Sequence, residues 1–320
     1  MVTVGIAKTC GVLLATIALA AGAAHAASFT SPPSGSALVY ADFQDELRCH
    51  VGITAADISG ASTGRLWAGS VAALTTDDQG TLWASTGCTA GRGIPMPACA
   101  VWRAGTSAPA VTVKTVRRRL MAKGLLALGE RPYGLLCSIT PMLRGGVQSI
   151  WENARIVIGP DGKVRSVGYI SRSAAARQRP SAVTSSGRAV FPLGTGPNYL
   201  GTRSRVDGLG VFDGQVLDIR SDGRRLLRVP GNPVGGEGEA SSDRVVLVEP
   251  DGTVTFVWQT VETMYEVGSA QFLPGGQSAI VRAGEFCAFC ERNAYRVTFG
   301  QPASEGQLLI PRVGGLRVLP

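Results

Sequence analysis

The chain carries too few imidazoles for the commonest catalytic arrangements. Beyond its first 26 residues the single histidine is His50, so neither a Ser-His-Asp triad nor a histidine metal triad can be assembled. His50 alone reads as a structural or surface residue. The tracts GGVQS and GVFDG do not form a G-x-S-x-G nucleophile elbow, and no G-x-x-x-x-G-K-S/T phosphate loop occurs. Carboxylates are the groups left to do chemistry. Glu262 and Glu266 flank Met264-Tyr265 in VETMYEVG, and Glu152 stands in Trp151-Glu152-Asn153. Loops that brought these residues together would bind Ca2+ through oxygen ligands or hold an acid and a base. Tyr265 beside Glu266, in a chain rich in arginine, also has the makings of a glycosidase tyrosine nucleophile with its carboxylate. The plainer expectation for each is a solvated loop carboxylate.

Sulfur is the second candidate. Six cysteines follow Cys10: Cys49, Cys88, Cys99, Cys137, Cys287 and Cys290. An even number in an exported chain reads as up to three disulfides, with fifteen pairings open. Cys88 and Cys99 bracket the loop TAGRGIPMPA, and Cys49 with Cys137 would tie neighbouring repeats. Cys287-Ala288-Phe289-Cys290 is a C-x-x-C pair whose flanks look like strands, not the helix start that lowers a redox thiol's pKa. A zinc site would need about four ligands, which one histidine and scattered thiols do not readily supply. A structural disulfide is expected there.

The export reading comes from the first residues. Lys8, the apolar run from Gly11 to Ala21, and Ala24-His25-Ala26 before Ala27 have the order of a secretory signal, so residues 1–26 are expected to be removed. The run is shorter than the roughly 20 residues that span a bilayer, and no later stretch is apolar for long enough. Residues 27–320 are expected to form one exported domain, periplasmic or extracellular. The formal charge of +8 falls to +7 without Lys8, and only four of the 31 basic residues are lysine. The densest basic cluster, Arg117-Arg118-Arg119 near Lys114 and Lys123, lacks interleaved aromatics and is expected to be a solvated strand end or loop; no nucleic-acid partner is expected.

The elements that would position such groups are short strands. Forty-two glycines and eighteen prolines punctuate the chain, and the apolar residues show no long helical period. Gln79-Gly80, Asp161-Gly162, Asp222-Gly223 and Asp251-Gly252 each sit between two short apolar runs, as two-residue hairpin turns do. Segments such as GLLALGERPYGLLCSIT and PGGQSAIVRAG add further strands, giving a unit of roughly 40 to 60 residues. Units are placed near 38–70, 71–116, 123–170, 182–229, 240–260 and 268–299, with LLIPRV and LRVLP returning to close a ring. The fold expected is all-β and β-propeller-like with five or six blades, an irregular β-sandwich being the alternative.

The stretch Asp77-Asp78-Gln79-Gly80-Thr81-Leu82-Trp83-Ala84-Ser85-Thr86 resembles the D-x-x-G-x-L-W-x-x-T signature of propeller blades in two-component-regulator sensor ectodomains, and is similar to the streptogramin-lyase and gluconolactonase-like group. Read from Thr76 it also resembles a sialidase Asp-box, with Leu82 where threonine is usual. These resemblances imply that Asp77, Asp78, Gly80, Leu82 and Trp83 form a hairpin lock, not a catalytic site. The lactonases of the resembling group imply Ca2+ as the one cofactor to consider. Trp67, Trp83, Trp102, Trp151 and Trp258 could stack on sugars, though Trp83 is expected between sheets. The function expected is binding, with a glycan, a peptide or an envelope protein as partner. The alternatives are a Ca2+-assisted hydrolase or lyase with carboxylates in a central channel, and a purely structural envelope component.

Overall fold

The computed structural model describes residues 28–44, 49–86, 100–125, 138–151, 154–178, 180–195, 202–231, 242–260, 265–285 and 292–320. Among these, 24 strands make six four-stranded antiparallel sheets, and the chain is a six-blade β-propeller. Blade one holds β1 (Leu38–Gln44), β2 (Cys49–Ala56) and β3 (Ser62–Val71). Blade two holds β4 (Ala73–Thr76), β5 (Leu82–Thr86), β6 (Ala100–Arg103) and β7 (Val111–Thr112), and is followed by helix α1 (Val113–Ala122). Blade three is β8 (Ser138–Pro141), β9 (Val147–Trp151), β10 (Ala154–Ile158) and β11 (Val164–Tyr169), followed by helix α2 (Arg172–Arg177). Blade four is β12 (Ala182–Val183), β13 (Ala189–Thr195), β14 (Thr202–Val206) and β15 (Gly210–Asp213). Blade five is β16 (Gln215–Ile219), β17 (Arg225–Val229), β18 (Arg244–Val248) and β19 (Val254–Trp258). Blade six is β20 (Tyr265–Phe272), β21 (Ser278–Glu285), β22 (Arg292–Thr298) and β23 (Gln307–Ile310). The ring closes when β24 (Val313–Val318) pairs antiparallel with β1 and becomes the innermost strand of blade one.

The expected units are corrected in three places. The fourth blade ends at Asp213, not near residue 229, because a single residue, Gly214 (φ +89), leads from β15 into β16. The Asp222-Gly223 and Asp251-Gly252 turns therefore belong to one sheet, which removes the shortfall of the 240–260 unit. Leu308-Leu309-Ile310 lies in β23 at the outer edge of blade six, so only the stretch from Val313 to Val318 supplies the closing strand. The basic cluster is a helix. Thr112 caps α1 by accepting from Thr115 N at 3.3 Å, Val116 and Leu120 are buried, and Arg119 and Lys123 donate to the carbonyls of Val164 and Val167, which covers the outer strand β11.

The hairpin turns are also one step longer than two residues. In six of them the glycine N–H bonds back three residues, as from Gly80 to Asp77 O at 3.0 Å, and the outer pair closes as from Asp77 N to Thr81 O at 3.0 Å. The same pattern recurs at 57–61, 159–163, 184–188, 220–224 and 249–253. A residue with positive φ is required at the glycine, which is why the x-G spacing is legible in the sequence.

Apolar faces pack blade on blade. Leu66, Trp67, Leu82 and Trp102 fill the space between blades one and two; Trp83, Val101, Val147 and Ile156 lie between two and three. Val190, Val206, Val216 and Leu227 join four to five, Leu226, Trp258, Phe272 and Val281 join five to six, and Leu38, Ile280, Ile310 and Val318 join six to one.

Polar side chains fix these sheets at the axis. Asp77 Oδ1 accepts from Gln79 N and Thr81 N within its own turn, while Oδ2 accepts from Trp83 Nε1 at 3.0 Å and from Gly146 N of blade three at 2.7 Å. Fully buried Asp218 accepts from Ser185 N of blade four at 2.9 Å, from Ile219 N, and from Phe272 N of blade six at 2.7 Å. Gln271 donates to Val183 O of blade four at 2.8 Å and accepts from Val318 N of blade one at 2.9 Å. Arg317 donates to Leu74 O of blade two at 3.1 Å. A Cβ on Gly187 (φ +73) would stand 2.1 Å from Asp77 O. These side chains thus bond blade to blade directly around the ring.

Burial raises the Asp218 carboxyl to about 6 despite its three amide donors. The sign follows from its ordinary value of 3.8. The folded state binds this proton more tightly than the unfolded chain, so the group favours folding below pH 4 and that advantage is lost as pH rises through 6. Over that range Asp218 should remove on the order of 3 kcal/mol of stability. In urea unfolding at pH 4 to 7, Asp218→Asn should be less stable overall but show a shallower pH slope; an unchanged slope would contradict the assignment.

Candidate binding site

Of the carboxylates proposed for catalysis, Glu266 alone lies among the described residues. Glu266, at the start of β20, is held by Arg292 and lies 3.6 Å from Arg228, whose Nε is 2.6 Å from Asp243. Asp243 accepts in turn from Gly231 N and Val267 N, so the network ties blade five to blade six. Arg282 completes the cluster on Gly314 O at 2.9 Å; burial, then the like charges of Arg292 and Arg317, lower it to about 9. Tyr265 packs its half-buried ring against the core between blades five and six. Glu152 and Glu262 lie outside the described residues, as do Cys88, Cys99, Cys137, Cys287 and Cys290; Cys49 opens β2. Among the described residues no three His, Cys, Asp or Glu side chains come together as a metal site. The tract Gly60-Ala61-Ser62-Thr63-Gly64 does spell G-x-S-x-G, but it runs from a hairpin turn into β3 and not from a strand into a helix, which an elbow requires.

Four tryptophans are removed as sugar platforms. Trp83 and Trp258 are fully buried and Trp67 and Trp102 nearly so, the last two with ring centroids 4.8 Å apart. Their area stabilises the seams between blades instead.

One seam differs from the rest. Among the described residues the apolar cluster at the edge of blades three and four is only Ile150 and Ile170 of blade three with Ala174 of α2, and β8 and β12 meet more slightly than the other innermost neighbours. In its place is a groove of about 650 Å3 lined by Arg155, Arg177, Arg205, Gln148, Gln178 and Phe191 among others. Arg155 Nε donates to Gln148 Oε1 at 2.6 Å, and Gln148 Nε2 donates to Gln178 Oε1 at 3.1 Å, which orients both amides. The Arg205 guanidinium lies 4.7 Å from the Phe191 ring centroid and 3.7 Å from Asp207. Burial pushes the Asp207 carboxyl up, against the pull of Arg205 and Arg188. The groove can hold an anion through guanidinium donors while apolar side chains cover its other surface. Sequence reading missed it because arginine is abundant everywhere in the chain.

Neither a family model nor a curated protein sequence matches the chain. Among solved structures, TolB from Acinetobacter baumannii aligns over 89% of this chain and 66% of that chain, at 12% identity and TM-score 0.46. The chain thus corresponds to about two thirds of that TolB. A protein of unknown function from Bacteroides caccae aligns over 89% of this chain and 99% of its own, at 9% identity and TM-score 0.41. A Lactobacillus plantarum protein aligns over 90% and 86%, at 14% identity and TM-score 0.34.

Proposed function

We propose that the protein is an exported β-propeller that works by binding, not by catalysis, and that its recognition site is the seam between blades three and four. The observation that supports this reading is the unequal packing of the ring. Among the described residues five seams carry apolar cores that span both blades, and the sixth carries an arginine-lined groove in their place. A propeller built only for rigidity gains most by closing every seam alike, since buried apolar area stabilises by about 25 cal/mol per Å2. The export half rests on the signal-like residues 1–26 and is compatible with Phe29, just past the expected cleavage point, being buried and bonded to Thr106 and Gly105. Of the partners considered from the sequence, those bearing anionic groups suit the groove.

Intact mass of the protein recovered after export should give Ala27 as the first residue; Met1 retained would refute processing. Binding of an anionic partner from envelope extracts at low salt should weaken about tenfold or more in the double variant Arg155→Glu, Arg205→Glu, while Arg225→Glu, in the neighbouring groove between blades four and five, should leave it near wild type. Equal retention by all three proteins would place recognition elsewhere.

A further inference from the structure

A blade's alternate side chains point to opposite faces of its sheet, and blade four has sorted them unequally. Val190 and Val206 turn into the core shared with blade five. The residues between them in register form the opposite face: Phe191 and Leu193 on β13, Arg203 and Arg205 on β14, Val211 and Asp213 on β15, with Phe191 paired to Arg205, Arg205 to Val211 and Arg203 to Asp213. Much of this face is open. Leu193 and Val211 are each 47% exposed, and the Arg203 and Arg205 side chains about half. Across the groove stand Leu143, 43% exposed, with Arg155 and Arg177.

The charge is unbalanced. Asp213 and Asp207 each lie 3.7 Å from one arginine, exposed pairs that contribute little, whereas among the described residues Arg155 and Arg177 pair with no carboxylate. An occupant must therefore bring negative charge, and it must also cover aliphatic side chains. An acidic sugar meets only the first demand. Among the described residues lining the groove the one aromatic ring, Phe191, is nearly buried and capped by Arg205, so it offers no open face for a sugar ring or a base to stack on.

We infer that the seam takes an extended acidic peptide segment of a partner protein, laid against the open face of blade four. Its carboxylates meet Arg155, Arg177 and Arg205, and its alternate aliphatic side chains cover Leu143, Leu193 and Val211, as the two-residue period of an extended chain permits. The inference rests on the seam being the recognition site.

The test is fluorescence anisotropy on the mature protein near physiological salt, with three labelled probes: a blocked peptide alternating Glu and Val, its counterpart with Lys for Glu, and oligogalacturonate. The Glu-Val peptide should bind, and binding should weaken about tenfold or more in Arg155→Ala with Arg205→Ala and also in Leu193→Ser. Arg225→Ala should leave the affinity unchanged, the Lys peptide should not bind, and all variants should keep the wild-type unfolding midpoint. Oligogalacturonate binding through the same arginines, unaffected by Leu193→Ser and stronger than the peptide, would overturn the peptide assignment while leaving the seam as the recognition site. Peptide and oligogalacturonate both indifferent to the seam arginines would overturn both.

Discussion

A four-stranded sheet has two faces, and a ring of six sheets must decide what covers each of them. Among the described residues the structure answers with apolar packing at five seams and with a guanidinium-lined groove at the sixth. Everything else depends on that division. Small and β-branched side chains such as Val190, Val281 and Ala279 let neighbouring sheets approach, while Trp83 and Trp258 fill the wider spaces. The C-terminal strand then adds itself beside β1, so the chain's two ends secure one blade and no sheet in the ring is left to close by packing alone.

Directional bonds do what non-directional packing cannot, which is to set how far each blade turns toward the axis. Asp77, Asp218, Asp243 and Gln271 each accept a backbone N–H from the next blade. An amide buried in such a place needs an acceptor, and a side chain from the neighbouring sheet supplies it only at one relative position. The arrangement also accounts for the fate of the channel. Arg317, Gln271 and Asp218 are committed to bonds between blades, and Glu266 is committed to Arg228 and Arg292 at the junction of blades five and six. Among the described residues these polar groups are joined to one another. The groove between blades three and four, by contrast, keeps guanidinium groups turned to solvent.

Much of the fold was legible because turn chemistry is local. Gly80, Gly162, Gly223 and Gly252 sit where the backbone needs positive φ, and their spacing marked the hairpins. The boundary between blades four and five was not legible, since Gly214 alone separates β15 from β16 and no loop marks the change of sheet. Helix α1 left a signal that went unused: Val113, Val116 and Leu120 recur at helical spacing behind a threonine cap. The site was harder. Arg155 and Arg205 are fifty residues apart and resemble any other arginine in the sequence; only the register of β10 and β14 brings them to one groove. Asp218 and Gln271 likewise carry no local sign of the distant amides they satisfy, whereas Asp77 did stand out, because its turn and Trp83 lie within one short motif.

The central claim is that the seam between blades three and four is the weak junction of the ring, left so for a ligand. Native-state hydrogen exchange measured strand by strand tests it without knowledge of any partner, because the free energy of each local opening is read separately. The account predicts that amides of β9, β10, β13 and β14 exchange through an opening of lower free energy than those of β5, β6, β21 and β22. Equal protection across all six blades, or a first opening at the β24–β1 closure, would contradict it.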